Sequence, residues 1–212
     1  MKLYNFFRSG TSHRTRIALN LKGLSYDYIP INLRTGEARG EQYLRLNPQG
    51  LVPLLELEGH KLIQSPAIIE YLEERWPEPP LLPADALGRA RVRALAAMVG
   101  CDMHPINNLR ILNELRNTFG ADEAAIKRWC GKWITAGFEA IESLLNDDQQ
   151  RGRFCYGDSP TLADVYLVPQ VYSARRFEVS LTAFPTIVDI DKTCGELEAF
   201  RAAEPGNQPD AV

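Results

Sequence analysis

Three hydroxyl side chains and a glycine follow a cation in the run Arg8-Ser9-Gly10-Thr11-Ser12. The run lies between an apolar–polar stretch, 3–7, that reads as a strand, and a stretch, 14–22, in which Ile17, Ala18 and Leu21 recur at helical spacing. Ser12 is the expected N-cap, so the first N–H groups of that helix point back into the turn. A helix N-terminus carries positive partial charge and donors without intrahelical partners, a combination that holds anions. Small hydroxyls at the same place add donors without filling the space the anion needs. The turn reads either as a thiolate or carboxylate cradle or as an ordinary capped strand-to-helix turn, and five residues do not separate the two.

Two more features fall in the same segment. A cis peptide at Val52-Pro53 would leave the Val52 N–H and C=O free to pair with an extended peptide, in the manner of strand addition. Gln64-Ser65 opens another helix, with Ser65 as expected N-cap, Pro66 at N1 and Ile68, Ile69 and Leu72 along one face. Two anion sites flanking a free strand edge describe a pocket for a short acidic peptide. Taken singly, each has a purely structural reading as a strand start or a cap.

The elements around these residues follow from periodicity. Strands are expected at 26–31, 52–57 and 61–63, the last two paired across Glu58-Gly59-His60, and a short helix at 37–46 ends at the turn Asn47-Pro48-Gln49-Gly50. The order β-α-β-(α)-β-β-α is a compact α/β unit, assigned to residues 1–76. Trp76-Pro77-Glu78-Pro79-Pro80-Leu81-Leu82-Pro83 carries four prolines in eight positions, and residues 77–84 read as a stiff linker. From 85 to 212 the pattern is helical: 85–118 with a bend at Pro105, 121–145, a capped run from Thr161-Leu162-Ala163-Asp164, and 187–200. The polar tail 205–212 is expected on the surface.

The chain has 212 residues, 45% hydrophobic and 24% charged, with a net charge of -3, which speaks for a globular protein and against a nucleic-acid binder. No run reaches the roughly 20 apolar residues of a membrane span. Met1-Lys2-Leu3-Tyr4-Asn5 has no signal-peptide core, and the four cysteines are scattered without a C-x-x-C or a neighbouring histidine cluster. A cytoplasmic protein with reduced thiols and no metal is expected.

Over its whole length the chain resembles the cytosolic glutathione transferases. The motifs that carry the likeness are Asn47-Pro48-Gln49-Gly50-Leu51-Val52-Pro53-Leu54-Leu55, Leu62 to Leu72, and Gly157-Asp158-Ser159-Pro160-Thr161-Leu162-Ala163-Asp164. Arg8 through Leu19, the stretch Leu167 to Phe177 and the ending Gln208-Pro209-Asp210 look like the zeta class, the isomerases of maleyl keto acids. The resemblance implies a thioredoxin-like α/β first domain, an all-helical second domain, a homodimer, and glutathione as cofactor. It implies glutathione contacts from Ser9, Gly10, Thr11, Gln49, Val52, Gln64 and Ser65. Where that class usually has Ser-Ser-Cys-Ser-Trp, this chain has Ser9-Gly10-Thr11-Ser12-His13, so no protein thiol is available at the turn. That variant, with Asp102 to Asn108 and Arg110, is closer to the glutathione-dependent enzymes of bacterial gentisate breakdown that act on maleylpyruvate. Maleylacetoacetate and general glutathione conjugation are the alternatives.

Changing a cis double bond to trans requires a temporary single bond, which thiolate addition supplies. A free thiol with a pKa of about 8.5 is mostly protonated at neutral pH, so Ser9, Thr11 and the helix N-terminus are expected to lower it. The substrate is a small dicarboxylate, and guanidinium forks match carboxylates. Arg8, Arg110 and Arg176 are the expected carboxylate ligands, with ordinary surface roles as their alternative. Arg175 reads as solvated, Arg14 and Arg16 as packing or surface residues, and His13 and His60 as surface residues. His104, just before Pro105, is a candidate to bond glutathione or shuttle a proton, with Asn108 expected on the same helix.

Overall fold

The computed structural model of the chain describes residues 1–211. It divides into two compact units, Met1–Leu81 together with the stretch from Gly195 onward, and Leu82–Cys194.

The first unit is built on four short strands, β1 (Lys2–Asn5), β2 (Asp27–Pro30), β3 (Leu54–Leu57) and β4 (His60–Ile63). They lie in the order β2-β1-β3-β4. β1 and β2 are parallel, with Leu3 opposite Tyr28, and the other neighbours are antiparallel. The parallel pair needs a crossover, and α1 (Gly10–Leu21) supplies it. Its residues Ile17, Ala18 and Leu19 are wholly buried, beside Leu3, Leu54 and Leu55 of the sheet. The expected helix at 37–46 is split by Gly40 into a 3₁₀ turn, Glu37–Arg39, and α2 (Glu41–Leu44). α3 (Ser65–Arg75) packs beside α1 and buries Ile68, Ile69 and Leu72, the face its spacing predicts.

Two expectations change here. The proline-rich stretch is not a free spacer as far as Leu81. Lys22 Nζ, buried, pairs with Glu73 at 2.6 Å and donates to Pro79 O at 2.6 Å, while the Leu81 N–H donates to both Glu73 oxygens at 3.0 Å. The linker is tied back because a buried ammonium and carboxylate must have all their bonding capacity met. The tail is not a free surface segment either, and the last part of the expected second domain packs with the first unit. Arg16, 0% exposed, donates to Ala203 O from Nε at 3.1 Å and from Nη2 at 2.8 Å. Asp210 accepts from the Phe7 N–H and the Tyr28 hydroxyl. The expected tail ran to Val212, which lies outside the described residues.

The second unit is helical. The expected long helix 85–118 is broken: α4 (Ala86–Ala97), a wide π turn at Met98–Met103, a 3₁₀ turn at Pro105–Asn107, then α5 (Leu109–Phe119). Pro105 cannot continue the helical ladder, and Asn108 starts a new helix by accepting from the Arg110 N–H at 3.1 Å. α6 (Glu123–Asp147) buries Ile126, Cys130, Ile134, Phe138, Ile141 and Leu145 along one stripe. α7 (Leu162–Arg176) opens with the expected capping box, Thr161 and Asp164 bonding reciprocally. The predicted helix 187–200 ends early, as α8 (Pro185–Gly195), and α9 (Glu198–Arg201) follows in the first unit. Among the described residues no helix is long and apolar enough to cross a membrane.

Candidate functional site

The β1–α1 turn has the order expected, but its cap differs. Ser9, with φ -70 and ψ 123, is the N-cap of α1, and its Oγ accepts from the Ser12 N–H at 3.3 Å. Ser12 is instead wholly buried, its Oγ accepting from the Phe6 N–H at 3.3 Å. The cap of the helix therefore sits three residues earlier than expected. Gly10 and Thr11, the first two helical residues, carry N–H groups that intrahelical bonding does not use.

The hydroxyls form a directed chain. Thr11 Oγ1 donates to the Val52 carbonyl at 2.9 Å, and Ser9 Oγ lies 2.8 Å from Thr11 Oγ1. A carbonyl only accepts, so the single Thr11 proton goes to Val52 and Ser9 must donate to Thr11. The expectation that the Val52 C=O stays free is corrected: one of its two lone pairs is occupied by Thr11. The Val52–Pro53 peptide is cis.

The loop carrying Val52 is held from below. Tyr43 Oη and Asn47 Nδ2 both donate to Leu51 O at 2.7 Å, and Asn47 Oδ1 accepts from the Gln49 N–H at 3.0 Å. Burial pushes the Tyr43 phenol up to about 12, so it stays a donor near neutrality. Gly50, at φ 63, turns this loop where a Cβ would stand 2.9 Å from Ala38 O.

Gln64 and Ser65 also depart from expectation. Gln64 is the residue before α3, and its φ of 68 and ψ of 110 place it in a conformation that side-chain-bearing residues avoid. Its amide donates to Gln49 Oε1 at 2.6 Å, so two of the expected glutathione contacts meet at an exposed spot. Ser65 is the first helical residue instead of the cap, and is 2% exposed. Its Oγ accepts from Arg14 Nε at 2.9 Å, which leaves its own proton available to an anion at the mouth of α3. Arg14, expected as a packing or surface residue, is thus the buried partner of Ser65. It is 4% exposed, and the partner that reveals it lies 51 residues away.

The remaining candidates sort by unit. Arg8, in the first, is partly buried, with its guanidinium 5.9 Å from the Phe7 ring centre. His13 is corrected from surface to core: it is 2% exposed, and burial, then the Arg16 charge, holds its imidazole well below the usual range. His60 is exposed, as expected. In the second unit, His104 ends the π turn, its N–H donating to Val99 O at 2.9 Å, and Asn108 is not on its helix but caps α5. Arg110 is exposed in the first turn of α5. Arg176 is exposed at the end of α7, its guanidinium 4.4 Å from the Phe177 ring centre. Arg175 is exposed, as expected, and pairs with Asp191 at 2.6 Å. Among the described residues no group of His, Cys, Asp or Glu is arranged to hold a metal ion.

The expected free strand edge at Val52 is instead a loop, since β3 begins at Leu54 and pairs with both β1 and β4. The first unit thus gathers donors suited to a thiolate at α1 and to a carboxylate at α3, together with a carbonyl lone pair in the loop that leads into β3. That donor set fits a short peptide carrying a thiol and a terminal carboxylate. The family model for the glutathione S-transferase N-terminal domain matches residues 1–74. A maleylpyruvate isomerase from Ralstonia sp is 65% identical over 100% of both chains. A maleylacetoacetate isomerase from Pseudomonas aeruginosa is 54% identical, covering 99% of this chain and 98% of its own. Among solved structures, the holo form of a maleylpyruvate isomerase, described as a bacterial zeta-class glutathione S-transferase, matches with a TM-score of 0.99 at 65% identity over 100% of both chains. The maleylacetoacetate isomerase of Anaeromyxobacter dehalogenans, with GSH bound in its active site, matches with a TM-score of 0.89 at 44% identity, over 100% of this chain and 97% of that one. The chain belongs to the zeta class of the glutathione transferases, in the family of the maleylpyruvate and maleylacetoacetate isomerases.

Proposed function

We propose that this protein is a glutathione-dependent cis–trans isomerase that converts maleylpyruvate to fumarylpyruvate. The observation that carries the chemistry is the Ser9–Thr11–Val52 hydroxyl chain at the N-terminus of α1. Bound glutathione would supply a thiolate that adds to the conjugated carbon, lets the bond rotate as a single bond, and is eliminated unchanged.

The chain's own residues make that sulfur anionic and hold its neighbours. Ser9 swings its proton from Thr11 to the anion, at the cost of one neutral hydrogen bond for a charge-assisted one, which is about twice as strong. Thr11 keeps its proton on Val52 and so fixes the distance between the turn and the loop that leads into β3. The Gly10 and Thr11 amides add the field of the helix N-terminus. Val52 pairs with the peptide backbone through its remaining lone pair, Gln49 and Gln64 hold its polar end, and Ser65 with Arg14 behind it receives the γ-glutamyl carboxylate. Arg8, Arg110 and Arg176 take the substrate carboxylates and the charge that grows on the keto end. His104 and Asn108 complete the cofactor contacts. Residues 1–76 serve as the cofactor domain and the helical residues after the linker as the substrate domain.

The choice of maleylpyruvate is supported by the 65% identical Ralstonia relative of that name. The second reading, maleylacetoacetate, is supported by the Pseudomonas aeruginosa relative at 54%. Comparing kcat/KM for the two cis acids at fixed glutathione decides between them. We expect a preference for maleylpyruvate of at least tenfold; equal or reversed values would transfer the assignment to the longer acid. The family likeness also supports a cytoplasmic homodimer that serves aromatic-compound breakdown, and sedimentation at working concentration tests the dimer.

A further inference from the structure

Phe6 and Phe7 lead directly into the turn that carries Ser9, and the partners of their four backbone polar groups fall into two sets. The Phe6 N–H donates to Ser12 Oγ at 3.3 Å and the Phe6 carbonyl accepts from the Ser9 N–H at 3.0 Å. The Phe7 carbonyl accepts from Arg16 Nη2 at 2.9 Å. These three bonds come from within the strand–turn–helix segment. The fourth group, the Phe7 N–H, donates at 3.1 Å to Asp210 Oδ2, 203 residues away at the other end of the chain. A backbone N–H at such a place must find an acceptor, and the local segment offers it none in this geometry.

Asp210 is itself held. Its Oδ1 accepts from the Tyr28 hydroxyl, whose proton burial and then this bond keep firmly in place. The next residue, Ala211, packs against the cluster of Phe6, Phe7, Ile31, Tyr43 and Val52, which joins the turn to the loop before β3. Upstream, Arg16 clamps Ala203, and Gln208 Nε2 donates to Ala202 O and Glu204 O at 2.8 Å each. The segment from Ala203 to Ala211 is therefore a strap anchored at both ends beneath the catalytic turn.

We infer that this strap sets the position of the Ser9 hydroxyl, with Asp210 as a positioning residue for the isomerisation. It rests on the proposed role of Ser9 toward the glutathione sulfur. Asp210 acts through the Phe7 N–H: without that acceptor the chain entering the turn relaxes, and the Ser9 donor loses its fixed aim.

The test titrates the bound thiol by its ultraviolet thiolate absorbance in the glutathione complexes of the wild type, Asp210→Ala, Asp210→Asn and Tyr28→Phe. With Asp210→Ala we expect the thiol pKa to rise by about one unit and kcat, read at a pH well below the wild-type pKa, to fall about tenfold, one unit being one factor of ten. The Kd for glutathione should change less than threefold, since Val52, Gln64 and Ser65 hold the rest of the tripeptide. Asp210→Asn keeps an acceptor for Phe7 and should stay near the wild type, and Tyr28→Phe should fall between. A thiol pKa in Asp210→Ala equal to the wild type, with only the melting temperature lowered, would make the strap a plain structural clip. A pKa that falls in Asp210→Asn would also overturn the inference, because the carboxylate would then act by its charge. A wild-type complex whose thiol titrates like free glutathione would instead defeat the assigned role of Ser9. If Asp210→Ala does not fold, Asp210→Asn and Tyr28→Phe carry the same comparison.

Discussion

Ser9 and Thr11 carry the same functional group and differ in where its proton goes. The Thr11 proton is committed to Val52, whereas the Ser9 proton rests on a hydroxyl and can be redirected. Ser9→Ala should therefore cost about 2.7–4 kcal/mol in kcat, the magnitude of a lost oxyanion donor. Thr11→Ser should be nearly silent, and Thr11→Val should show an intermediate loss, because the turn then loses its tie to the Val52 carbonyl. Steady-state kinetics at saturating glutathione reads all three, and a Thr11→Val loss exceeding that of Ser9→Ala would reverse the assignment. The sequence made these hydroxyls visible because they are small, adjacent and beside a helical pattern. It did not make Arg14 or Asp210 visible, because each is defined by a partner distant in the chain. Ser12 was misplaced as the cap for a related reason: several residues of this turn can cap, and only the bond from Phe6 shows that Ser12 faces inward.

At the scale of elements, α1 buries a polar face that local pattern cannot announce. Ser12 through Arg16 are all buried, so this turn of the helix is covered all round, and Arg16 reads as solvent-facing until its bonds to Ala203 are seen. The helix's buried imidazole has a pH signature. His13 is held neutral in the fold, with its pKa well below the ordinary 6.5. Below that value the unfolded chain binds a proton that the folded one refuses. Stability is then full above pH 6.5 and falls as the pH drops, by up to about 1.4 kcal/mol per unit. Denaturant titrations between pH 6.5 and 5 should show this slope in the wild type and a shallower one in His13→Gln; equal slopes would contradict it.

The linker makes a second element-scale case. Its prolines were legible and its attachment was not, since the Lys22–Glu73 pair joins the C-cap of α1 to α3 across 51 residues. Glu73→Ala leaves a buried ammonium without its partner and should lower the unfolding free energy by about 3–5 kcal/mol. Replacing both residues by Lys22→Met and Glu73→Leu should recover most of that loss in the same denaturant experiment. Elements with strong local signals, such as the Thr161–Asp164 capping box and the apolar stripe of α6, were legible at nearly their observed bounds.

For the whole molecule, the fold class was readable because strand and helix periods segregate along the chain. The exception is the return of the C-terminal stretch to the first unit, which depends on the buried Arg16 fork. Arg8 belongs to the first unit and Arg110 and Arg176 to the second. If Arg176 holds a substrate carboxylate, Arg176→Ala should raise KM for maleylpyruvate at least tenfold, about 1.4 kcal/mol, and leave the Kd for glutathione within twofold. Equal effects on both would assign it to the cofactor.

The central claim is that this protein returns its thiol cofactor unchanged while it turns a cis acid into a trans one. The direct measurement follows maleylpyruvate, fumarylpyruvate and total free glutathione together by proton NMR, with the acid in large excess. The account predicts complete conversion to the trans acid with the free thiol undiminished after many turnovers. A reaction that stops after one equivalent, with a thioether adduct in place of free glutathione, would contradict it.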